Sequence, residues 1–295
     1  MKFACSVSFA ALALAGCATN VSAPTVEGAP APAAAPAAAS SDALPGGEGL
    51  VKFIWPLVFG TIVAATIAVV VAVPMAVSVA LFISHIAPRR IAQPMSYLID
   101  LLAAIPSVIY GLWGIAVLGP HSVGVLRWLE DNLGFIPFFK GPASATGRTM
   151  IIAGLVLAVM ILPIITAVTR SVFEQTPKRL QEGALALGAT RWESIRLTVL
   201  PFGRSAIISA SMLGLGRALG ETMAVAIVLS VSGGVTLDLI GSANPSTIAA
   251  NIALDFPESS GVAVNALILS GLVLFAVTLL VNMAARTVIN RQIRI

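Results

Sequence analysis

The stretch LGLGRALGETMAV, Leu213 to Val225, sets an arginine and a glutamate inside a run that is otherwise apolar enough to cross a bilayer. A charged side chain at the centre of a membrane helix costs about 2.5 to 3.5 kcal/mol on insertion scales, so Arg217 and Glu221 need a compensating role. The two are four residues apart, which on a continuous helix puts them on one face. A charged face of a membrane helix looks into a bundle or a wet pathway rather than at lipid.

The rest of the chain supports the membrane reading. Its 295 residues are 58% hydrophobic and only 10% charged, against roughly 25% charged in soluble domains. The apolar residues come in long runs, at about 53–84, 94–118, 149–169, 205–231 and 262–285, each matching the ~20 residues that span a hydrocarbon core. Alternating barrel strands are absent, so the expected fold is an all-α polytopic helical bundle with five clear spans. Pro74, Pro106 and Pro163 lie inside three of the runs and predict local kinks. The net charge of +4 is too diffuse to point to nucleic acid; topology explains it better.

Basic residues fix the orientation. Arg89 and Arg90 follow the first span, Arg170, Lys178, Arg179, Arg191, Arg196 and Arg204 the third, and Arg286, Arg291 and Arg294 the fifth, which predicts cytoplasmic loops there and a cytoplasmic C-terminus. Segment 232–261 has no Lys or Arg and holds Asp238, Asp255 and Glu258, as an external loop should. Residues 1–21 read as an export signal: Lys2, a short apolar run, then small residues. Leu14-Ala15-Gly16-Cys17 resembles a bacterial lipoprotein signal in which Cys17 is lipidated; an uncleaved anchor that happens to hold a cysteine is the alternative. Residues 22–47 form an Ala/Pro-rich linker, expected outside the cytoplasm, and 48–295 the transmembrane domain. The two cysteines, Cys5 and Cys17, both precede that domain, and His85 and His121 stand alone, so no metal site is expected.

Segment 171–204 is more than a connector. Thr176 and Pro177 suit the start of one helix and Gly188 its stop. Thr190-Arg191-Trp192-Glu193 has the T-x-x-E pattern of a capping box for a second helix, which Pro201 is expected to end. Leu185, Leu187, Trp192 and Ile195 then need cover in a loop that faces water; a docking surface for a cytoplasmic partner is one answer, packing on the rest of the same chain the other.

These residues carry a resemblance. Glu182-Gly183-Ala184, Gly188 and Leu200-Pro201 resemble the EAA loop of ABC importer permeases, with Gly183 and Thr198 departing from the pattern's Ala and Ile. The resemblance implies that the loop fits a cleft on an ATPase subunit. Residues 101–114, LLAAIPSVIYGLWG, and LGLGRALGETMAV resemble the PstC-type permease family of phosphate ABC importers, over about residues 50–295. The family's usual first helix is missing. The resemblance implies a type I ABC importer transmembrane domain in a bacterial inner membrane, in contact with lipid. Implied partners are a PstA-type permease, two PstB-type ATPases carrying ATP and Mg, and an external PstS-type phosphate-binding protein. This chain itself is expected to need no cofactor and to be no enzyme: without a G-x-x-x-x-G-K-[ST] phosphate loop it is not expected to be the ATPase, and without a Ser/His or paired-Asp constellation in its spans an intramembrane hydrolase fits poorly.

On that reading Arg217 offers forked donors to phosphate oxygens, and Glu221 holds the arginine and accepts a phosphate proton that sulfate lacks. A purely structural ion pair is the competing reading. Gly216 and Gly220 are expected to admit a neighbouring helix, Pro106, Ser107 and Tyr110 either to line a pathway or to pack a kink, and Asp100 to pair or snorkel. A permease for another oxyanion, sulfate or molybdate, and more distantly an ATP-independent secondary transporter, are the alternatives.

Overall fold

The computed structural model describes residues 46–232, 235–236 and 238–293; the signal-like segment, Cys17 and the linker up to residue 45 lie outside the described residues. The described chain is helical, with one isolated bridge between Val231 and Asn244. Its helices are α1 (Gly46–Leu81), α2 (Arg89–Ala103), α3 (Ser107–Trp113), α4 (Gly119–Leu133), α5 (Met150–Glu174), α6 (Lys178–Ala186), α7 (Arg191–Ser194), α8 (Leu200–Leu219), α9 (Met223–Val228), α10 (Ile248–Asp255) and α11 (Val262–Ile293). Five helical runs are long and apolar enough to cross a membrane: Gly49–Ile86, Ser107–Leu133, Met150–Glu174, Arg191–Leu219 and Val262–Ala284.

The bundle is built around α5, whose Ile152, Val156, Leu157, Met160, Ile161 and Ile165 are all buried. The helix beside it explains how the backbones come close. Ala64, Ala68, Ala72, Ala76 and Ala80 recur every fourth residue along α1 and are all at most 1% exposed, a small-residue stripe that lets a neighbour approach to van der Waals contact where the hydrophobic effect gives no help. Gly154 of α5 lies against Ile67 and Ala64, and the Thr166 hydroxyl donates to the Ala76 carbonyl at 3.5 Å, so α1 and α5 run parallel. Gly203 packs on Phe173 and Gly214 on Ile165, which makes α8 antiparallel to α5. Gly214, rather than Gly216 or Gly220, is thus the glycine that admits a neighbouring helix; Gly216 has open space where a Cβ would stand.

Prolines shape the helices differently from the simple kink expectation. α1 runs through Pro74 and α5 through Pro163 without interruption, whereas Pro106 separates α2 from α3. Across that break the Tyr110 hydroxyl donates to the Leu102 carbonyl at 2.8 Å, and Tyr110 is buried, a packed kink. Three wider π-helical turns, Phe82–Ile86, Gly114–Leu118 and Ile195–Val199, each end two residues before a proline, Pro88, Pro120 and Pro201. A proline ring crowds the carbonyl one turn earlier and brings no N–H, and a widened turn relieves both problems. Pro201 therefore does not end the second loop helix: α7, the π turn and α8 form one run of 29 residues, Arg191–Leu219.

At the end of the bundle opposite the basic loops, α10 docks on α1. Thr61 accepts the Ile248 N–H at 3.0 Å while donating to the Leu57 carbonyl at 2.7 Å. A Cβ on Gly60 would lie 2.3 Å from the Ser246 carbonyl oxygen, a backbone atom with no freedom to step aside. Gly60→Ala is expected to lower stability by about 1 to 3 kcal/mol through overpacking, read as a lower Tm of the purified protein, with Gly216→Ala as the unhindered control.

Candidate functional site

The apolar run around Arg217 and Glu221 is two helices, not one. α8 stops at Leu219, Gly220 and Glu221 leave the helix, and α9 restarts at Met223. The shared helix face inferred from the four-residue spacing is therefore absent, and among the described residues no ion pair joins Arg217 to Glu221. Glu221 is buried and its Oε1 accepts the Ala224 N–H at 3.1 Å, so its charge lies at the positive end of α9, where free N–H groups and the helix dipole favour an anion. The other end of α9 carries the matching device. Arg148, next to the α5 cap residue Thr149, donates to the Ile227 carbonyl at 3.1 Å, Leu229 at 3.3 Å and Val228 at 3.5 Å.

Arg217 is placed differently. It is exposed on α8 and forms part of an open groove of about 610 Å³ with Ser209, Leu213 and Gly216 of the same helix, Ile164 of α5 and Asn282 of α11. Leu213 and Gly216 are exposed as well. The groove thus offers one guanidinium and two small polar side chains on an otherwise apolar wall, a surface on which a forked cation can meet a tetrahedral anion.

The loop 171–204 holds the end of α5, the short helix α6 and the capped start of the Arg191–Leu219 run. α6 begins at Lys178 with Pro177 at the cap position, so Thr176 does not cap it; Thr176 is turned inward and buried, its hydroxyl without a hydrogen-bond partner among the described residues. At the other end Gly188 takes φ +88°, its N–H reaches the Leu185 carbonyl at 3.0 Å, and the Ala189 N–H reaches the Ala184 carbonyl at 3.1 Å. That pair of bonds is a Schellman motif, whose left-handed residue is best supplied by glycine. The capping box follows at once: the Thr190 N–H donates to Glu193 Oε2 at 2.7 Å, and the Glu193 N–H to Thr190 Oγ1 at 3.3 Å. Glu182, Gly183 and Ala184 lie on α6, while Leu200 and Pro201 open α8. A Cβ at Gly183 meets nothing within 4 Å, so its departure from alanine reflects no packing demand within this chain.

The turn between the helices is strongly apolar for an exposed site. Leu187 is 91% exposed, and Leu180, Leu185, Trp192 and Leu197 are all exposed around it. Toward the bundle, Gln181 Nε2 lies 3.4 Å from His85 Nε2 and the Ser194 hydroxyl 3.4 Å from the Gln181 carbonyl. Nearby, Asp100 pairs with Arg170 at 3.8 Å, the carboxylate exposed and the guanidinium mostly covered.

Arg148 and Asn244 escaped the sequence reading. Asn244 is fully buried: it accepts the Met150 N–H, and its two amide hydrogens are shared among the carbonyls of Gly241 at 3.0 Å, Arg148 at 3.3 Å and Ser230 at 3.4 Å. Arg148 had a weak signal, a basic residue directly before the third apolar run; Asn244 had none.

Five candidate membrane spans, one of them followed by a break that holds Glu221, define a polytopic helical membrane protein. Residues 72–295 match the family described as binding-protein-dependent transport system inner membrane component, and the chain belongs to that family. It is 49% identical over 219 residues, 73% of this chain and 67% of the relative, to the phosphate transport system permease protein PstC 2 of Mycobacterium tuberculosis (strain ATCC 25618 / H37Rv). Against the phosphate transport system permease protein PstC of Mycobacterium leprae (strain TN) it is 45% identical over 248 residues, 82% of this chain and 77% of the relative. Its fold resembles that of a bacterial ABC transporter involved in the import of the acidic polysaccharide alginate, with a TM-score of 0.56 at 20% identity, covering 85% of this chain and 86% of the other. The fold is that of a type I ABC importer transmembrane permease, and the chain is a transport subunit.

Proposed function

We propose that the chain is the PstC-type permease subunit of an ATP-driven phosphate importer in a bacterial inner membrane. The observation that carries the reading is the 49% identity to a phosphate permease over 219 residues. A PstA-type permease supplies the other half of the pathway, two PstB-type subunits hold ATP and Mg, and a PstS-type protein delivers phosphate from outside. The loop 171–204 lies in the cytoplasm, with Glu182, Gly183, Ala184, Gly188, Leu200 and Pro201 shaping the surface that meets the ATPase. The segment after the N-terminal signal lies outside and the C-terminus inside; Cys17 is the lipidation position if the signal is processed as a lipoprotein.

In the pathway, Arg217 meets phosphate oxygens from the groove, and Glu221, close by in the chain, adds the acceptor that a protonated phosphate satisfies and sulfate does not. Glutamine separates that role from capping, because its amide oxygen still accepts the Ala224 N–H. Glu221→Gln is expected to keep the fold and assembly but to lose discrimination between phosphate and sulfate. Unchanged phosphate transport with unchanged discrimination removes the selectivity role.

The reading as a whole is tested by labelled phosphate uptake into proteoliposomes holding this chain, its partner subunits and the external binding protein, with and without lumenal ATP and with sulfate as competitor. Uptake that needs ATP and ignores sulfate is expected. ATP-driven uptake of sulfate instead keeps the coupling loop and discards the substrate; uptake without an ATPase overturns the reading.

A further inference from the structure

The six residues of α9 are too few to be stable by their own hydrogen bonds, yet the helix is compensated at both ends. Glu221 takes the Ala224 N–H at its start. Arg148 takes three successive carbonyls, Ile227, Val228 and Leu229, at its finish, the groups a helix terminus leaves without partners. The charge signs are those the dipole favours. Arg148 is about eighty residues away in the chain, and its own backbone is pinned: its carbonyl accepts from Asn244, and the next two residues, Thr149 and Met150, cap and open α5 with the Met150 N–H bonded to the Asn244 side chain. On a third side, Gly111 of α3 would bring a Cβ within 2.9 Å of the Ala224 Cα, so α9 has no slack toward that neighbour.

We infer that Arg148, backed by Asn244, is a positioning residue for transport: it fixes α9 from the end of the bundle opposite the coupling loop, and so holds the Gly220–Thr222 break, with Glu221, in its working geometry. The inference rests on the transport reading above. Arg148 need not touch substrate. A guanidinium reaches three carbonyls at once because its donors are splayed in a plane, whereas an ammonium is a point charge and keeps the end charge while losing most of the bonds.

Two readouts on the assembled full-length complex test it. Hydrogen exchange of residues 224–229 reports whether α9 stays formed, and uptake kinetics report KM and Vmax. In Arg148→Ala, exchange at 224–229 is expected to rise by about ten-fold or more with that of α5 unchanged, and Vmax to fall by about ten-fold with ATPase subunits still bound. Arg148→Lys is expected to lie between Ala and wild type in both. If Arg148→Ala does not assemble, the lysine variant carries the test. Wild-type exchange together with wild-type uptake in the lysine and alanine variants, or in the lysine variant alone if the other fails to assemble, overturns the inference. Lost uptake with unchanged exchange also overturns it, since Arg148 then acts elsewhere than on α9. Absence of phosphate uptake in the wild-type complex instead counts against the transport reading, while the exchange comparison still tests the clasp.

Discussion

Arg217→Ala is expected to abolish phosphate uptake, by about 100-fold or more, while leaving the protein as stable as the wild type. The two halves of that result have separate causes. A forked, charge-assisted contact to an anion supplies two hydrogen bonds of about 1.5 to 3 kcal/mol each, and every 1.4 kcal/mol is about a factor of ten. Stability is spared because Arg217 is exposed in the groove and forms no ion pair among the described residues, so its removal orphans nothing. Arg217→Lys keeps the charge but not the planar fork, and is expected to fall between the two. Uptake in proteoliposomes with Tm measured on the same preparations checks both halves. An alanine variant that transports at the wild-type rate removes Arg217 from the pathway; one that loses uptake together with Tm makes it structural.

The two charges that raised the question thus have different explanations, and only part of either was legible in the sequence. Their presence in an apolar run was visible, as was the number of spans, but the second, expected at 94–118, is Ser107–Leu133 because Pro106 breaks the run, and the fourth, expected at 205–231, is Arg191–Leu219. The break at Gly220 was not, because the run 205–231 is apolar on both sides of it and Gly220 is one of three closely spaced glycines, Gly214, Gly216 and Gly220, of which only the last marks a stop. Glu221 acts as a cap only because the helix has already ended, and Arg148 bonds carbonyls about eighty residues away, a relation that no local pattern encodes. Where the determinants are local, the reading succeeded: Gly188 takes the positive φ, and Thr190 and Glu193 close the capping box. Where a local rule met tertiary demand it failed. Thr176 has the right side chain for a cap, yet the helix starts one residue later and the threonine is buried; Pro201 has the usual meaning of a stop, yet a π turn absorbs it.

That last difference changes how the loop can act on the site. Because Pro201 does not end the helix, the rod that begins at the capping box runs for 29 residues to Leu219, about 40 Å at 1.5 Å per residue, and carries Arg217 near its far end. On the proposed coupling role, a push on the loop reaches the groove residue along one continuous helical run that includes the π turn Ile195–Val199. On that same role, the contact that receives the push is the exposed turn. Leu187→Glu is expected to leave Tm within about 0.5 kcal/mol equivalent of the wild type, since a residue 91% exposed has almost nothing to lose on its own chain. In the assembled transporter the same change places a charge where an apolar side chain is desolvated, so ATPase subunits are expected to dissociate and ATP-driven uptake to fall by about 100-fold or more, as when a central interface anchor is lost. Gly188→Val gives the complementary result: a β-branched residue cannot hold φ +88° without strain, so the Schellman turn opens and α6 loses its angle to the rod. Binding of the ATPase with uptake lost is expected there, because the anchors remain while their alignment to the rod does not. If Leu187→Glu retains both the ATPase and full uptake, the turn is not the coupling surface and the rod is driven from somewhere else.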